Sequence, residues 1–181
     1  MRRIAAALAI ALLAGCSSSP AAKPDPGAKP DTAPTETVAA TESLPDVTLD
    51  GLVDEKPLAV ADLTGTPTVI NLWASWCGPC KKELPILAKA HTSYGDRVRI
   101  LGVDFADESP AAAISLAGSA GVTYPLYVDP KSKLKNDLRV IGLPQTVFVD
   151  GQGTIVATER RAFRTQADLS AAILKHLGVK P

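Results

Sequence analysis

The sequence lacks an excess of charge of either sign. Nineteen Lys and Arg side chains balance nineteen Asp and Glu side chains, and the isoelectric point is about 6.7. Proteins that bind nucleic acid through their net electrostatic field carry a basic excess. The composition therefore gives no basis for a nucleic-acid partner, and we expect none.

Histidine and cysteine are scarce. The only histidines are His91 and His176, and the only cysteines are Cys16, Cys77 and Cys80. A structural zinc site needs four ligands at finger-like spacing, and two isolated histidines do not complete one. We therefore expect no metal and no cofactor, and we expect both histidines on helix surfaces.

The N-terminal apolar run is too short to span a bilayer. Residues 4–14 follow Met1-Arg2-Arg3 and have the length of the hydrophobic region of a secretory signal. The run ends in Leu13-Ala14-Gly15-Cys16, which resembles a bacterial lipobox, where the signal is cut before a cysteine that then receives a lipid. The resemblance implies a signal peptide over residues 1–15 and a lipid anchor on Cys16. A plain signal peptide is the alternative.

A segment without core-forming side chains follows. Residues 17–43 contain no Leu, Ile or aromatic residue and are rich in Pro, Ala, Thr and Ser. Such a composition cannot bury a core, so we expect residues 16–43 to form a disordered tether. Docking of a partner on this Pro-rich stretch is the alternative. One folded domain is expected over residues 44–181.

The most informative stretch is Trp73–Glu83, WASWCGPCKKE. The β-branched, apolar run of residues 68–73 predicts a buried strand, and the apolar positions within residues 84–88 share one face of a helix. Cys77 then lies at the helix N-terminus, where unpaired N–H groups and the helix dipole favour a thiolate. Cys80 returns to the same side of the first turn, close enough for a disulfide.

This placement predicts thiol–disulfide exchange. Cys77 is the expected nucleophile and Cys80 the expected resolving thiol. Gly78 gives the turn its backbone freedom, and Pro79 suits the first turn of the helix and stiffens the ring that the disulfide closes. A purely structural disulfide is the alternative, although so short a loop constrains the unfolded chain very little.

The segment resembles the active site of the thioredoxin superfamily. The longer pattern Cys80-Lys81-Lys82-Glu83-Leu84-Pro85 is similar to the membrane-anchored, extracytoplasmic TlpA/ResA/DsbE-like branch, which carries a redoxin domain. The resemblance covers residues 44–178. It implies a thioredoxin-like α/β fold: a mixed central sheet flanked by helices, with an N-terminal β-hairpin and an inserted βα-type element.

Apolar patterns and turn signals predict the remaining elements. We expect an N-terminal hairpin over residues 44–60, with a turn at Asp50-Gly51, and a second hairpin over residues 142–159. Two further strands are expected at residues 97–104 and 124–129. Two short helices are expected at residues 109–120 and 131–138, and a last helix, capped by Thr165, at residues 166–177.

The resemblance implies roles away from the cysteines. Residues 142–146, Gly-Leu-Pro-Gln-Thr, resemble the proline loop of the superfamily, in which the proline is cis and lies against the disulfide. Pro144 is that proline, and the main chain of Leu143 is expected to pair with a substrate peptide. We expect the other substrate contacts beside the nucleophile, at Trp76, Gly78 and Pro79.

Glu83 lies one helical turn beyond Cys80. The TlpA-like branch has an acid at this position, whereas Asn71, which cannot titrate, stands where thioredoxin has its buried acid. We therefore expect a partly buried carboxylate of raised pKa that relays protons to Cys80 during the resolving step. A solvated Glu in a Lys-Lys-Glu run is the alternative.

The resemblance implies an exported oxidoreductase, lipid-anchored at the outer face of the bacterial cytoplasmic membrane. Gly78-Pro79 is the dipeptide of reducing thioredoxins, so we favour a reductant for protein disulfides, for example in cytochrome c or metalloprotein maturation. A membrane protein of the DsbD/CcdA type is the expected electron donor or acceptor. An oxidant of exported proteins is the alternative.

Two other classes fit the motif less well. A peroxiredoxin expects Thr and Pro where this chain has Ala74 and Ile70. A thioredoxin-like copper chaperone spaces its cysteines by three residues and uses a distal His.

Overall fold

The computed structural model describes residues 42–181. The expected signal peptide, Cys16 and almost all of the tether lie outside these residues. The strands are β1 (Glu42–Ser43), β2 (Thr48–Gly51), β3 (Leu58–Ala59), β4 (Thr68–Trp73), β5 (Arg99–Phe105), β6 (Leu126–Asp129), β7 (Gln145–Val149) and β8 (Thr154–Glu159). The helices are α1 (Gly78–Tyr94), α2 (Pro110–Ser119) and α3 (Gln166–Leu177), with 3₁₀ turns at Val60–Asp62 and Gly95–Arg97.

The strands form one mixed sheet in the order β1-β8-β7-β4-β5-β6-β2-β3. β4, β5 and β6 run parallel, and every other neighbouring pair is antiparallel. All six residues of β4 are buried, as expected for a strand with neighbours on both edges and covered faces. The sheet thus confirms the predicted mixed α/β architecture. Through β1 it also includes Glu42 and Ser43, which were expected to belong to the tether.

The helices pack on one face of the sheet. Val69 and Trp73 of β4 point to this face and share a core with apolar side chains of all three helices. The alternating positions Ile70 and Leu72 face a second core on the other side, which the N-terminal hairpin and the turns of residues 130–140 cover. No helix within residues 42–181 combines the length and the apolar character needed to cross a membrane.

The helix predicted over residues 131–138 is wrong, because this segment is a series of turns. The buried carboxylate of Asp129 accepts the backbone N–H groups of Lys133 at 2.8 Å and Leu134 at 2.9 Å. Ser132 and Arg139 adopt left-handed conformations, with φ of 54° and 47°. A helix does not propagate through such residues, so the side chain of Asp129 organises turns instead.

The turn predicted at Asp50-Gly51 is also wrong. Both residues belong to β2 and pair with Val128 and Tyr127 of β6, and the chain reverses only afterwards. A Cβ atom on Gly51 would lie 2.2 Å from the backbone oxygen of Glu55. The glycine is therefore needed for a close approach of two backbone segments rather than for a turn.

Candidate active site

The two cysteines lie where β4 gives way to α1, as predicted. Cys77 is the N-cap of α1, and its Sγ accepts the backbone N–H of Cys80 at 3.3 Å. The two residues form a disulfide, with their Cα atoms 5.3 Å apart. Pro79 lies in the first turn, where a helix leaves its N–H groups without backbone partners.

The two sulfur-bearing residues differ in access to solvent. Cys80 is fully buried, whereas Cys77 is 4% exposed and adjoins the exposed Gly78 and Pro79. A substrate approaching from solvent therefore reaches Cys77 first.

Glu83 is fully buried on α1, which excludes the solvated alternative. Its Oε1 accepts the backbone N–H of Phe163 at 2.8 Å, and its Oε2 accepts Nδ2 of Asn71 at 3.0 Å. Burial raises the pKa of Glu83 to about 7, and these two hydrogen bonds oppose the rise. The carboxyl therefore changes its protonation near neutral pH.

Asn71 links the active-site helix to the strand that follows the proline loop. Its Nδ2 contacts Glu83 and also lies 3.2 Å from Oγ1 of Thr146 in β7. The Leu143–Pro144 peptide bond is cis, as predicted. Because Leu72 pairs with Gln145, Pro144 lies at the end of β4 from which the loop to Cys77 departs.

A pair of carboxyl groups, not predicted from the sequence, lies behind the active-site loop. Asp104 is the second-last residue of β5, Asp107 follows the strand, and both side chains are buried; a hydrogen bond between them contributes to the pKa of each. Burial and the charge of Asp107 raise the pKa of Asp104 to about 8. Asp107 accepts the backbone N–H of Ser75 at 2.6 Å and that of Ser109 at 2.9 Å. The sequence does contain a signal for this pair: two acidic residues lie three positions apart at the carboxyl end of a parallel strand.

The two tryptophans occupy different environments. Trp73 is fully buried in the core, as predicted. Trp76 is 61% exposed beside Cys77, and its indole N–H donates to the carbonyl of Ala106 at 3.3 Å. This hydrogen bond holds an exposed aromatic ring next to the disulfide. A substrate contact at Trp76 stays a prediction.

A cavity of about 620 Å³ opens next to the disulfide. It separates the start of α1 from the segment before α3, and its lining residues are Gly78, Pro79, Lys82, Ala162, Phe163 and Arg164. Gly78 and Pro79, two of the residues expected to contact substrate, thus face a site large enough for a peptide side chain.

The prediction for the histidines is wrong for His176, whose side chain is only 7% exposed. Its Nε2 lies 3.0 Å from Oε1 of Glu159, and its ring centroid lies 4.8 Å from that of Phe148. His91 is half-buried against Tyr124. Within residues 42–181, no three His, Cys, Asp or Glu side chains are grouped to hold a metal ion.

A disulfide at the start of a helix, on a mixed sheet with a cis-proline loop, defines a thioredoxin-fold thiol–disulfide oxidoreductase. The chain belongs to the Redoxin family, whose model matches residues 39–173. It is 38% identical over 113 residues to the thiol:disulfide interchange protein HelX of Rhodobacter capsulatus, covering 62% of each chain. It is 31% identical over 116 residues to the thioredoxin-like protein YneN of Bacillus subtilis, covering 63% of this chain and 67% of YneN. The chain thus spans about two thirds or less of these relatives.

Solved structures show the same fold. A DsbF homologue from Corynebacterium diphtheriae is 26% identical with a TM-score of 0.66, over 83% of this chain and 96% of the other. A secreted disulfide oxidoreductase of Mycobacterium tuberculosis has a TM-score of 0.64 at 23% identity, over 72% of this chain and 96% of the other.

Proposed function

We propose that this protein is an exported, membrane-anchored oxidoreductase that reduces disulfides in other proteins with the Cys77–Cys80 pair. The observation that carries the proposal is the position of the pair. Cys77 caps α1 next to solvent, while Cys80 is buried and a carboxyl that titrates near neutral pH lies one helical turn beyond it.

The exchange proceeds in two displacements. In the reduced protein, the Cys77 thiolate attacks one sulfur of a substrate disulfide, the substrate S–S bond breaks, and the first substrate thiolate leaves. The Cys80 thiolate then attacks Sγ of Cys77, and the second substrate thiolate leaves. Two electrons pass to the substrate, each leaving thiolate takes up a proton, and the Cys77–Cys80 disulfide forms.

Glu83 is proposed to serve the second displacement. The buried Cys80 thiol must lose its proton before it attacks, and water has little access to it. A carboxylate whose pKa is about 7 is a suitable proton acceptor at neutral pH, because a general base works best when its pKa lies near the working pH. Glu83 therefore accepts the proton of Cys80 and later returns it.

The substrate is proposed to lie across Cys77. The main chain of Leu143, before the cis Pro144, pairs with an extended peptide, and Trp76 covers its side chains. The cavity beside Gly78 and Pro79 takes a side chain that neighbours the substrate cysteine.

The direction of exchange and the partner are further parts of the proposal. The Gly78-Pro79 dipeptide, which is that of reducing thioredoxins, supports a reductant, for example in cytochrome c or metalloprotein maturation. A membrane protein of the DsbD/CcdA type would supply the electrons. The N-terminal pattern supports export and a lipid anchor on Cys16, at the outer face of the cytoplasmic membrane.

Trapping the mixed disulfide tests the exchange. Cys80→Ser should accumulate a covalent complex between Cys77 and a disulfide-containing protein such as insulin, because the resolving thiol is absent. Cys77→Ser, the matched control, should accumulate none. Complexes formed equally by both variants would contradict the assigned roles.

The reduction potential of the pair tests the direction. A value near that of thioredoxin, about −270 mV, supports a reductant. A value near that of DsbA, about −120 mV, would instead identify an oxidant of exported proteins.

A further inference from the structure

A network of charged side chains lies behind Glu83, centred on Arg161. The Nε of Arg161 donates to Oε2 of Glu159 at 2.8 Å. Its two terminal nitrogens donate to the two carboxylate oxygens of Asp168 at 2.8 and 3.0 Å, which is the bidentate geometry specific to a guanidinium. The other oxygen of Glu159 lies 3.0 Å from Nε2 of His176.

The partners of Arg161 belong to rigid elements. Glu159 is the last residue of β8, and its side chain is 4% exposed. Asp168 lies in the first turn of α3, where its N–H donates to Oγ1 of the N-cap Thr165 and its carboxylate accepts the N–H of Arg164. Arg161 therefore joins the end of a strand to the start of a helix across the segment of residues 160–165.

This same segment supplies the backbone hydrogen bond of Glu83. Two residues after Arg161, the N–H of Phe163 donates to Oε1 of Glu83 at 2.8 Å. The guanidinium carbon of Arg161 also lies 4.6 Å from the centroid of the Phe163 ring, and that ring packs edge-on against Phe148 of β7. The position of the donor thus depends on both the ion pairs and the ring contact.

We propose that Arg161 is a positioning residue for thiol–disulfide exchange: by fixing the segment before α3, it holds the Phe163 N–H on Glu83 and sets the pH at which that carboxylate accepts a proton. The inference rests on the proposed role of Glu83 as proton acceptor for Cys80. Arg161 acts on Glu83, the group that transfers the proton, and not on the cysteines themselves.

The charges around Glu83 determine the direction of the effect. Arg161 lowers the pKa of Glu83 and Asp168 raises it, both through charge, while Asn71 lowers it through a hydrogen bond. Tyr124 also faces Glu83, and its pKa is raised by burial and by the Glu83 charge, so it stays neutral. Loss of Arg161 removes a positive charge and loosens the Phe163 donor. Both changes destabilise the ionised form of Glu83 relative to its protonated form. The pKa of Glu83 should therefore rise.

Carbon-13 NMR titration of the Glu83 side-chain carboxyl, together with the pH profile of disulfide reduction, tests the proposal. Arg161→Gln should move both midpoints upward by about one pH unit. Arg161→Lys keeps the positive charge but cannot bind Asp168 with two parallel N–H groups, so it should move them by less. Arg139→Gln, an exposed Arg on the turn before the proline loop, removes the same charge and should move neither.

The outcomes separate this inference from the proposed relay. An upward Glu83 titration with an unchanged rate profile supports the positioning role and contradicts the relay. An unchanged Glu83 titration in both Arg161 variants overturns the positioning role. In a Glu83→Gln background, Arg161→Gln should no longer shift the rate profile, and a shift that persists there would mean that Arg161 acts through another group. If Arg161→Gln fails to fold, Arg161→Lys tests the positioning role alone, because it keeps the charge and loses the two parallel N–H bonds to Asp168; an unchanged Glu83 titration in that variant overturns the role.

Discussion

The carboxylate of Asp107 accepts the backbone N–H of Ser75 at 2.6 Å, across 32 residues of sequence. It thereby fastens the loop that carries the nucleophile to the loop that follows β5. Its second oxygen accepts the N–H of Ser109, the N-cap of α2. One buried side chain thus holds the start of a helix and the approach to the disulfide.

Asp107→Asn should destabilise the fold by about 1–3 kcal/mol at pH 7, because one amide oxygen cannot replace both acceptor atoms. Burial alone raises the pKa of Asp107, but the hydrogen bonds from Ser75 and Ser109 outweigh burial and lower it. The carboxylate therefore stabilises the fold above its unfolded pKa of about 4, and this contribution disappears as the pH falls through the lower folded pKa. Urea unfolding should show the largest difference from wild type at pH 7, and the difference should shrink as the pH is lowered below 4. The exposed Asp137→Asn is the control, and equal effects of the two variants at pH 7 would contradict the anchoring role.

Asp104→Asn should make the stability of the fold less dependent on pH. The folded pKa of Asp104 is about 8, so between pH 4 and 8 the folded state keeps a proton that the unfolded state has released. Wild-type stability should therefore fall as the pH rises through this range, by up to about 1.4 kcal/mol per pH unit from this group. The Asn amide retains a donor for Asp107 without titrating, so unfolding curves at pH 5 and pH 8 should lie closer together in the variant. A variant with the same pH dependence as wild type would rule out a shared proton.

Glu83→Gln should raise stability and lower activity at pH 8. The folded pKa of about 7 means that ionised Glu83 costs stability above neutral pH, and an amide does not ionise. The amide also fits, since the Asn71 side chain can rotate so that its Oδ1, which has no partner among the described residues, accepts it. Calorimetry should show a higher melting temperature. Loss of a general base should slow resolution of the mixed disulfide by about 10²-fold, and an unchanged rate and pH profile would refute the relay.

Gly102→Ala should destabilise the fold by about 1–3 kcal/mol through overpacking. A Cβ atom at this position in β5 would lie 2.7 Å from Cδ2 of Leu126 and 2.9 Å from Nε1 of Trp73. Gly118→Ala, in α2, meets nothing within 4 Å and should instead stabilise by roughly 0.5–1 kcal/mol through helix propensity. Chemical denaturation of the two variants measures the contrast. A stable Gly102→Ala would show that the sheet next to Trp73 relaxes easily.

The sequence was sufficient to predict those elements whose structure depends on residues close together in the chain. The strand at residues 68–73 was predicted from a β-branched, largely apolar run, which is typical of a strand buried on both faces. The N-cap position of Cys77 followed from the change of periodicity and from Pro79. The cis form of Pro144 required the resemblance, since most X-Pro bonds are trans.

Tertiary contacts account for the predictions that were wrong. The helical pattern at residues 131–138 gives way to turns because Asp129 captures two backbone N–H groups there. His176 is polar and near the chain end, yet Phe148 and Glu159 bury it. The raised pKa of Asp104 depends on the strand and loop geometry that brings Asp104 and Asp107 together.

Within residues 42–181, both outer strands of the sheet, β1 and β3, are only two residues long. An exposed strand edge presents unpaired N–H and C=O groups that another chain can extend, which is a common route to aggregation. Here each edge offers a template too short to hold an added strand in register. If the protein exchanges disulfides with other polypeptide chains, as proposed, its short edge strands protect it from co-assembling with them through its own sheet.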